Sequence, residues 1–135
     1  MKKTFWTTVA LATLLSGAAL AAELKFKPGD DAKFNWKSYE DFKTANAALK
    51  GETLTIFGPW RGEDEALFQS VLAYFADATG VNVRYSSSEN YEQQIVIDTQ
   101  AGSPPNVAIL PQPGLLADLA AKGLLTPLGD DTAKW

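Results

Sequence analysis

Thr53-Leu54-Thr55-Ile56-Phe57 is ended by Gly58-Pro59; a helical pattern then runs from Asp64 to Thr79, and Gly80 leads into Val81-Asn82-Val83-Arg84-Tyr85. This stretch decides the fold. The first run is short, apolar and β-branched, which suits a buried strand. In the middle, Leu67, Phe68, Val71, Leu72, Phe75 and Ala78 recur at three- and four-residue steps, giving one wide apolar face on a helix. Glu63, Asp64 and Glu65 stand at its start, where the positive end of the helix dipole favours carboxylates. The last run alternates in the manner of a short strand, and Ser86-Ser87-Ser88 follows as a loop. Strand, helix, strand over about 30 residues describes a βαβ unit with parallel strands.

The pattern continues on both sides. Downstream, Asn90 to Gly102 reads as a helix, with Asn90 and Gln93 placed as a capping box and Gly102 as its stop. The β-branched Ile95-Val96-Ile97 is the feature that argues for a strand there instead. After Pro104-Pro105, Asn106 to Leu110 reads as a third apolar strand, and Pro111-Gln112-Pro113-Gly114 turns it into a helix carrying Leu115, Leu116, Leu119 and Ala120, stopped at Gly123. Upstream, a helix capped by Ser38 carries Tyr39, Phe42 and Leu49 and stops at Gly51. Residues 22–37 form an irregular arm with Leu24, Phe26, Phe34 and Trp36 available for packing. The expected fold is α/β, a three-stranded parallel sheet flanked by helices in the order βαβαβα.

The first 21 residues stand apart from this fold. Lys2 and Lys3 precede an Ala/Leu-rich stretch from Val9 to Leu15, and Ala19-Leu20-Ala21 supplies small residues around a cleavage site. This is the three-part organisation of a secretory signal peptide cleaved near Ala21. The apolar stretch is shorter than the roughly 20 residues a bilayer requires. Three segments result: 1–21 as signal peptide, 22–52 as arm and first helix, and 53–135 as a partial α/β lobe. Three strands are few for such a sheet, and Leu124-Leu125-Thr126-Pro127-Leu128 is an apolar tail with no element after it. The chain is therefore expected to be the N-terminal part of a larger protein.

Composition excludes several chemistries. The 135 residues include no Cys and no His, and the formal net charge is −4. No disulfide, thiol nucleophile, imidazole base or Cys/His zinc site can be built, and a lipid-anchored precursor lacks its cysteine. An acidic chain offers no footprint for nucleic acid. There is no Gly-Lys-Ser/Thr for a nucleotide phosphate, and no cofactor is expected.

In an open parallel sheet, ligands bind beyond the carboxyl ends of the strands. Three loops form that rim. In Gly58-Pro59-Trp60-Arg61-Gly62-Glu63, the indole of Trp60 suits the C–H face of a sugar, while Arg61 and Glu63 suit its hydroxyls; alternatively Trp60 packs over the sheet edge and the acids only complement the helix dipole. Ser87, Ser88 and Glu89 offer hydroxyls and a carboxylate, and capping of the next helix by Ser88 or Asn90 is the plainer reading. Gln112 is the polar side chain of the third loop, between two prolines that either stiffen a ligand contact or start a helix. A rival is a secreted carbohydrate-active enzyme using Glu63 and Asp64 as its two acids; adjacent residues at a helix start diverge, which places such a pair poorly.

Leu54-Thr55-Ile56-Phe57, Tyr91-Glu92-Gln93-Gln94-Ile95 and Ala101-Gly102-Ser103-Pro104-Pro105-Asn106-Val107-Ala108 resemble the N-terminal lobe of the family-1 extracellular solute-binding proteins of ABC sugar importers. Gly58 to Glu65, Tyr85 to Tyr91 and Pro111 to Gly114 are similar, more narrowly, to its α-glucoside-binding branch. The resemblance implies a two-lobe periplasmic-binding-protein fold, an oligosaccharide ligand held between lobes, and delivery to a membrane permease. It implies that Trp60, Arg61, Glu63, Ser87, Ser88 and Glu89 face the cleft, with Gln112 joining them. Asn106 stands where many relatives carry Asp, and its uncharged side chain is expected to lose any bracing role of that acid.

Overall fold

A computed structural model describes residues 24–27 and 34–129. The segment read as a signal peptide lies outside them. In chain order the elements are α1 (Trp36–Ala45), a 3₁₀ turn (Ala47–Leu49), β1 (Thr53–Gly58), α2 (Glu63–Thr79), β2 (Asn82–Ser87), α3 (Tyr91–Gln100), β3 (Val107–Ala108) and α4 (Pro113–Ala121). The three strands form one parallel sheet in the order β2-β1-β3. The fold is the α/β arrangement read from the sequence.

The central strand is buried on both sides. Ile56 and Phe57, 5% and 8% exposed, are consecutive and so project to opposite faces. Phe57 packs with Tyr91 and Ile95 of α3 and Leu119 of α4, and Ala108, Leu110, Leu115 and Leu125 close around them. The opposite face is set by register. Ile56 pairs with Tyr85, so the two side chains share a face, and Phe68 of α2 meets the Tyr85 ring edge-on at 5.1 Å. The helix α2 therefore covers the Ile56 face and α3 the Phe57 face. This two-sided cover is what an all-parallel sheet requires.

Several local expectations are corrected. The first helix is capped by Asn35, whose Oδ1 accepts from the Ser38 N–H at 3.0 Å, so Ser38 lies inside the helix. Aromatic packing explains the earlier start: Phe34, Trp36, Tyr39 and Tyr74 of α2 form a cluster, with Phe34 and Tyr74 stacked at 4.9 Å. The helix ends at Asn46, whose backbone N–H and side-chain amide both bond the Phe42 carbonyl, and the 3₁₀ turn continues to Leu49. Asn90 occupies the cap position of α3 but makes no capping bond with its side chain. The second strand begins at Asn82 and extends through Ser86 and Ser87. The third is shorter than 106–110, spanning Val107–Ala108; at its start the Thr55 N–H is taken by Asn106 Oδ1 at 2.8 Å. Asn106 also accepts from Thr55 Oγ1 at 2.8 Å and donates its own N–H to it at 2.9 Å. Through these bonds Asn106 braces β1 against the start of β3.

The apolar stripe of α2 is wider than the surface it covers. Leu67 and Val71 are 56% and 64% exposed, whereas Ala73 and Ala78 are buried. Helical periodicity reports an apolar face and not what lies against it.

The join of α1 to α2 responds to pH. The Tyr39 hydroxyl donates to Asp77 Oδ2, which also accepts from Lys43 Nζ at 3.2 Å. Burial, then the bond to Asp77, raises the Tyr39 phenol far above its ordinary range. The Tyr39 bond, more than the Lys43 pair, lowers the Asp77 carboxyl below its ordinary 3.8. A carboxyl depressed in the folded state stabilises that state at neutral pH, and the contribution is lost as pH falls through the acid range toward its lowered pKa. Asp77→Asn is therefore expected to flatten the dependence of unfolding midpoint on pH between neutral and about pH 3. Equal acid slopes in the variant and the parent chain would contradict this.

Candidate functional site at the carboxyl rim of the sheet

Parallel pairing fixes where the loops emerge. Gly58 lies beside Ser87 and Phe57 beside Ala108, so the chain leaves all three strands along one edge. The loop after β1 occupies the middle, flanked by the turn after β2 and by residues 109–112 after β3. The ladder runs one bond past β3, from the Ile109 N–H to the Phe57 carbonyl at 2.9 Å.

The first two loops are joined by side chains. Arg61 Nη1 lies 3.0 Å from Glu89 Oε1, with the two side chains 51% and 74% exposed. An ion pair this open contributes about 0–1 kcal/mol, so it aligns the loops more than it stabilises them. Four further guanidinium N–H donors remain beyond the one facing Glu89. Ser87 Oγ reaches Glu65 Oε2 at 3.5 Å, the far limit of a hydrogen bond, and Glu65 Oε1 accepts from Gln69 at 2.9 Å. Ser88 sits between Ser87 and Glu89, half-buried.

Trp60 is packed on one side and exposed on another. Its ring packs against Phe68 with centroids 4.5 Å apart, yet 36% of the residue remains exposed. The indole is fixed on one side by its own protein and open on another. Its backbone is held as well. The Trp60 N–H donates to the Tyr85 hydroxyl at 2.9 Å, and that hydroxyl donates to the Trp60 carbonyl at 3.0 Å.

Glu63 opens α2 on the same rim and is exposed. The residue before it, Gly62, has φ +61° and supplies no side-chain cap. A side chain at that φ would be strained, and the turn it makes lets α2 start directly at the loop. The acids Glu63, Asp64 and Glu65 then offset the uncapped N–H groups of the first turn. Glu63 and Asp64 stand about 100° apart around the helix axis, so they do not face a common point. Gln112 precedes Pro113 at the start of α4 and is exposed. It shares the edge, but the bonds that tie the first two loops together do not extend to it.

The sequence reading overlooked Tyr85 and Phe68, which frame the Trp60 loop; the one available sign was an aromatic ring at the last alternating position before the serines. It also did not foresee an open cavity of about 300 Å³ under α3, lined by Thr55, Phe57, Ser86, Asp98 and Ser103-Pro104-Pro105. The sheet residues of that cavity, Thr55, Phe57 and Ser86, share the face covered by α3, opposite the face of Ile56 and Tyr85. Among the described residues no cluster of His, Cys, Asp or Glu could hold a metal ion, and no helix is long and apolar enough to cross a membrane.

The three loops lie along one edge of a parallel α/β sheet, and comparison with known proteins gives the family. Residues 58–135 match the family described as bacterial extracellular solute-binding protein, and the chain belongs to that family. The alpha-glucosides-binding periplasmic protein AglE of Rhizobium meliloti (strain 1021) is 70% identical over 141 aligned positions, covering 100% of this chain and 31% of that protein. The osmoprotective compounds-binding protein GgtB of a Synechocystis strain is 39% identical over 77 positions, covering 57% of this chain and 18% of that protein. The chain thus spans less than a third of the length of either relative. No solved structure gives a significant match.

Proposed function

We propose that this chain supplies one wall of a sugar-capturing cleft in the substrate-binding subunit of an ABC importer, with an α-glucoside as the ligand. The observation that carries this reading is the 70% identity to an alpha-glucosides-binding protein, which runs across the whole chain. The chemistry of the rim supports it. A half-open indole offers a flat apolar surface to the C–H face of a pyranose. Beside it, Arg61, Glu63, Ser87, Ser88 and Glu89 offer charged and neutral groups for hydroxyls, with Gln112 at the margin.

The relatives have about three times as much chain, and in proteins of that length the remainder would supply the opposing wall. Ligand would bind the first wall, the second lobe would close, and the closed form would dock on a membrane permease. No bond in the ligand is broken, and the protein acts as a carrier and not as an enzyme. Residues 1–21 would direct it to the periplasm and be cleaved near Ala21.

The test is calorimetric. This chain alone should bind maltose more weakly than micromolar, because half of the enclosing surface is absent. Grafted in place of the matched third of the Rhizobium meliloti protein, it should restore tight, saturable binding. Micromolar binding by the chain alone, or no α-glucoside binding by the graft, would contradict the proposal.

A further inference from the structure

We propose that Tyr85 is the positioning residue of this rim: its single hydroxyl clamps both backbone polar groups of Trp60, and with Phe68 it fixes the plane in which the indole meets a ligand. The clamp stands on geometry alone. Its consequence for affinity rests on the sugar-binding reading.

Trp60 follows Gly58-Pro59, where the chain leaves β1 and the sheet ladder no longer holds it. Only local bonds can set its conformation there. Tyr85, 25 residues later on the neighbouring strand, supplies two, as acceptor from the N–H at 2.9 Å and donor to the C=O at 3.0 Å. The phenol packs closely against the backbone at Gly58. A Cβ at that position would lie 3.2 Å from the Tyr85 hydroxyl and 3.0 Å from Ile109 Cδ1. The rings complete the device: Trp60 against Phe68 at 4.5 Å, and Phe68 against Tyr85 at 5.1 Å. Backbone and indole of Trp60 are thereby referred to the same two aromatic residues, one on β2 and one on α2. Burial raises the phenol pKa, opposed by the Trp60 bond and assisted by Glu65, so the hydroxyl stays protonated and keeps its donor role at neutral pH.

The clamp also explains how an exposed loop presents a rigid surface. A tryptophan free to rotate loses side-chain entropy on stacking with a ligand; one already held in place does not. Tyr85 touches no ligand in this scheme and acts through Trp60.

Tyr85→Phe keeps the ring and its contact with Phe68 and removes only the hydroxyl. In this chain, the Trp60 amide should exchange its hydrogen about tenfold faster, the scale of an ordinary hydrogen bond, while the amides of Ile95 and Leu119 keep their protection. In the graft, the affinity for maltose should fall about fivefold. Unchanged Trp60 exchange in Tyr85→Phe would overturn the clamp. Faster exchange with unaltered maltose affinity would overturn the positioning role. A graft with intact Tyr85 that binds no α-glucoside would contradict the sugar reading, while the amide measurement still decides the clamp.

Discussion

Ile95→Ala is expected to destabilise the chain by about 2–4 kcal/mol, the usual cost of truncating a fully buried branched side chain. Ile95 is 2% exposed and lies between Phe57 of the central strand, Tyr91 of its own helix and Leu119 of α4. Removing three carbons there loses the burial of those groups and leaves a cavity that α3, α4 and β1 would have to move together to fill. Leu119, 1% exposed, should give a loss of similar size. The control is Leu67→Ala on α2, an apolar residue 56% exposed, for which a change within about 0.5 kcal/mol is expected. Denaturant midpoints with their slopes check all three. A loss at Leu67 equal to that at Ile95 would mean that the exposed stripe of α2 is covered in solution and that the core described here is incomplete.

The second large effect concerns binding. Trp60→Ala in the graft should weaken maltose binding by about 2 kcal/mol, roughly thirtyfold. The indole is a large apolar surface on the rim that is both fixed by its own protein and open to solvent. Truncation removes the stacking surface but leaves the sheet untouched, so stability should change far less than affinity. Arg61→Ala serves as the comparison. Its partner Glu89 is 74% exposed, so losing the ion pair costs little on its own, and any larger effect on affinity reports a contact to the ligand. Equal affinity in Trp60→Ala and the parent graft would remove the indole from the site.

The parts of this fold that were legible in the sequence are those dictated by local chemistry. The helix and strand periods from Thr53 to Tyr85 are consequences of burying one stripe or two faces. Gly80, Gly102 and Gly123 all follow helix ends with positive φ. The parallel arrangement then brings the three rim loops together without any knowledge of side-chain positions. What was not legible depends on register. The pairing of Gly58 with Ser87 brings the loops of Arg61 and Glu89 together, and it sets Tyr85 beside the strand that leads to Trp60. Asn106 illustrates the same limit. Its bonds to Thr55 run across the sheet to a residue 51 positions away, and nothing in the local sequence announces that partner. The start of α1 was displaced by a tertiary effect, since the cluster around Tyr74 draws Phe34 and Trp36 into the helix entrance.

Two surfaces are candidates for the proposed ligand: the carboxyl rim and the cavity of about 300 Å³ beneath α3. The deciding measurement is the hydrogen-exchange footprint of maltose on the graft. Protection of residues 58–63 and 87–90, with a smaller change at 111–114, is the result the account predicts. Protection confined to residues 98–105, with the loops after Gly58 and Ser87 exchanging as freely as without sugar, would contradict it.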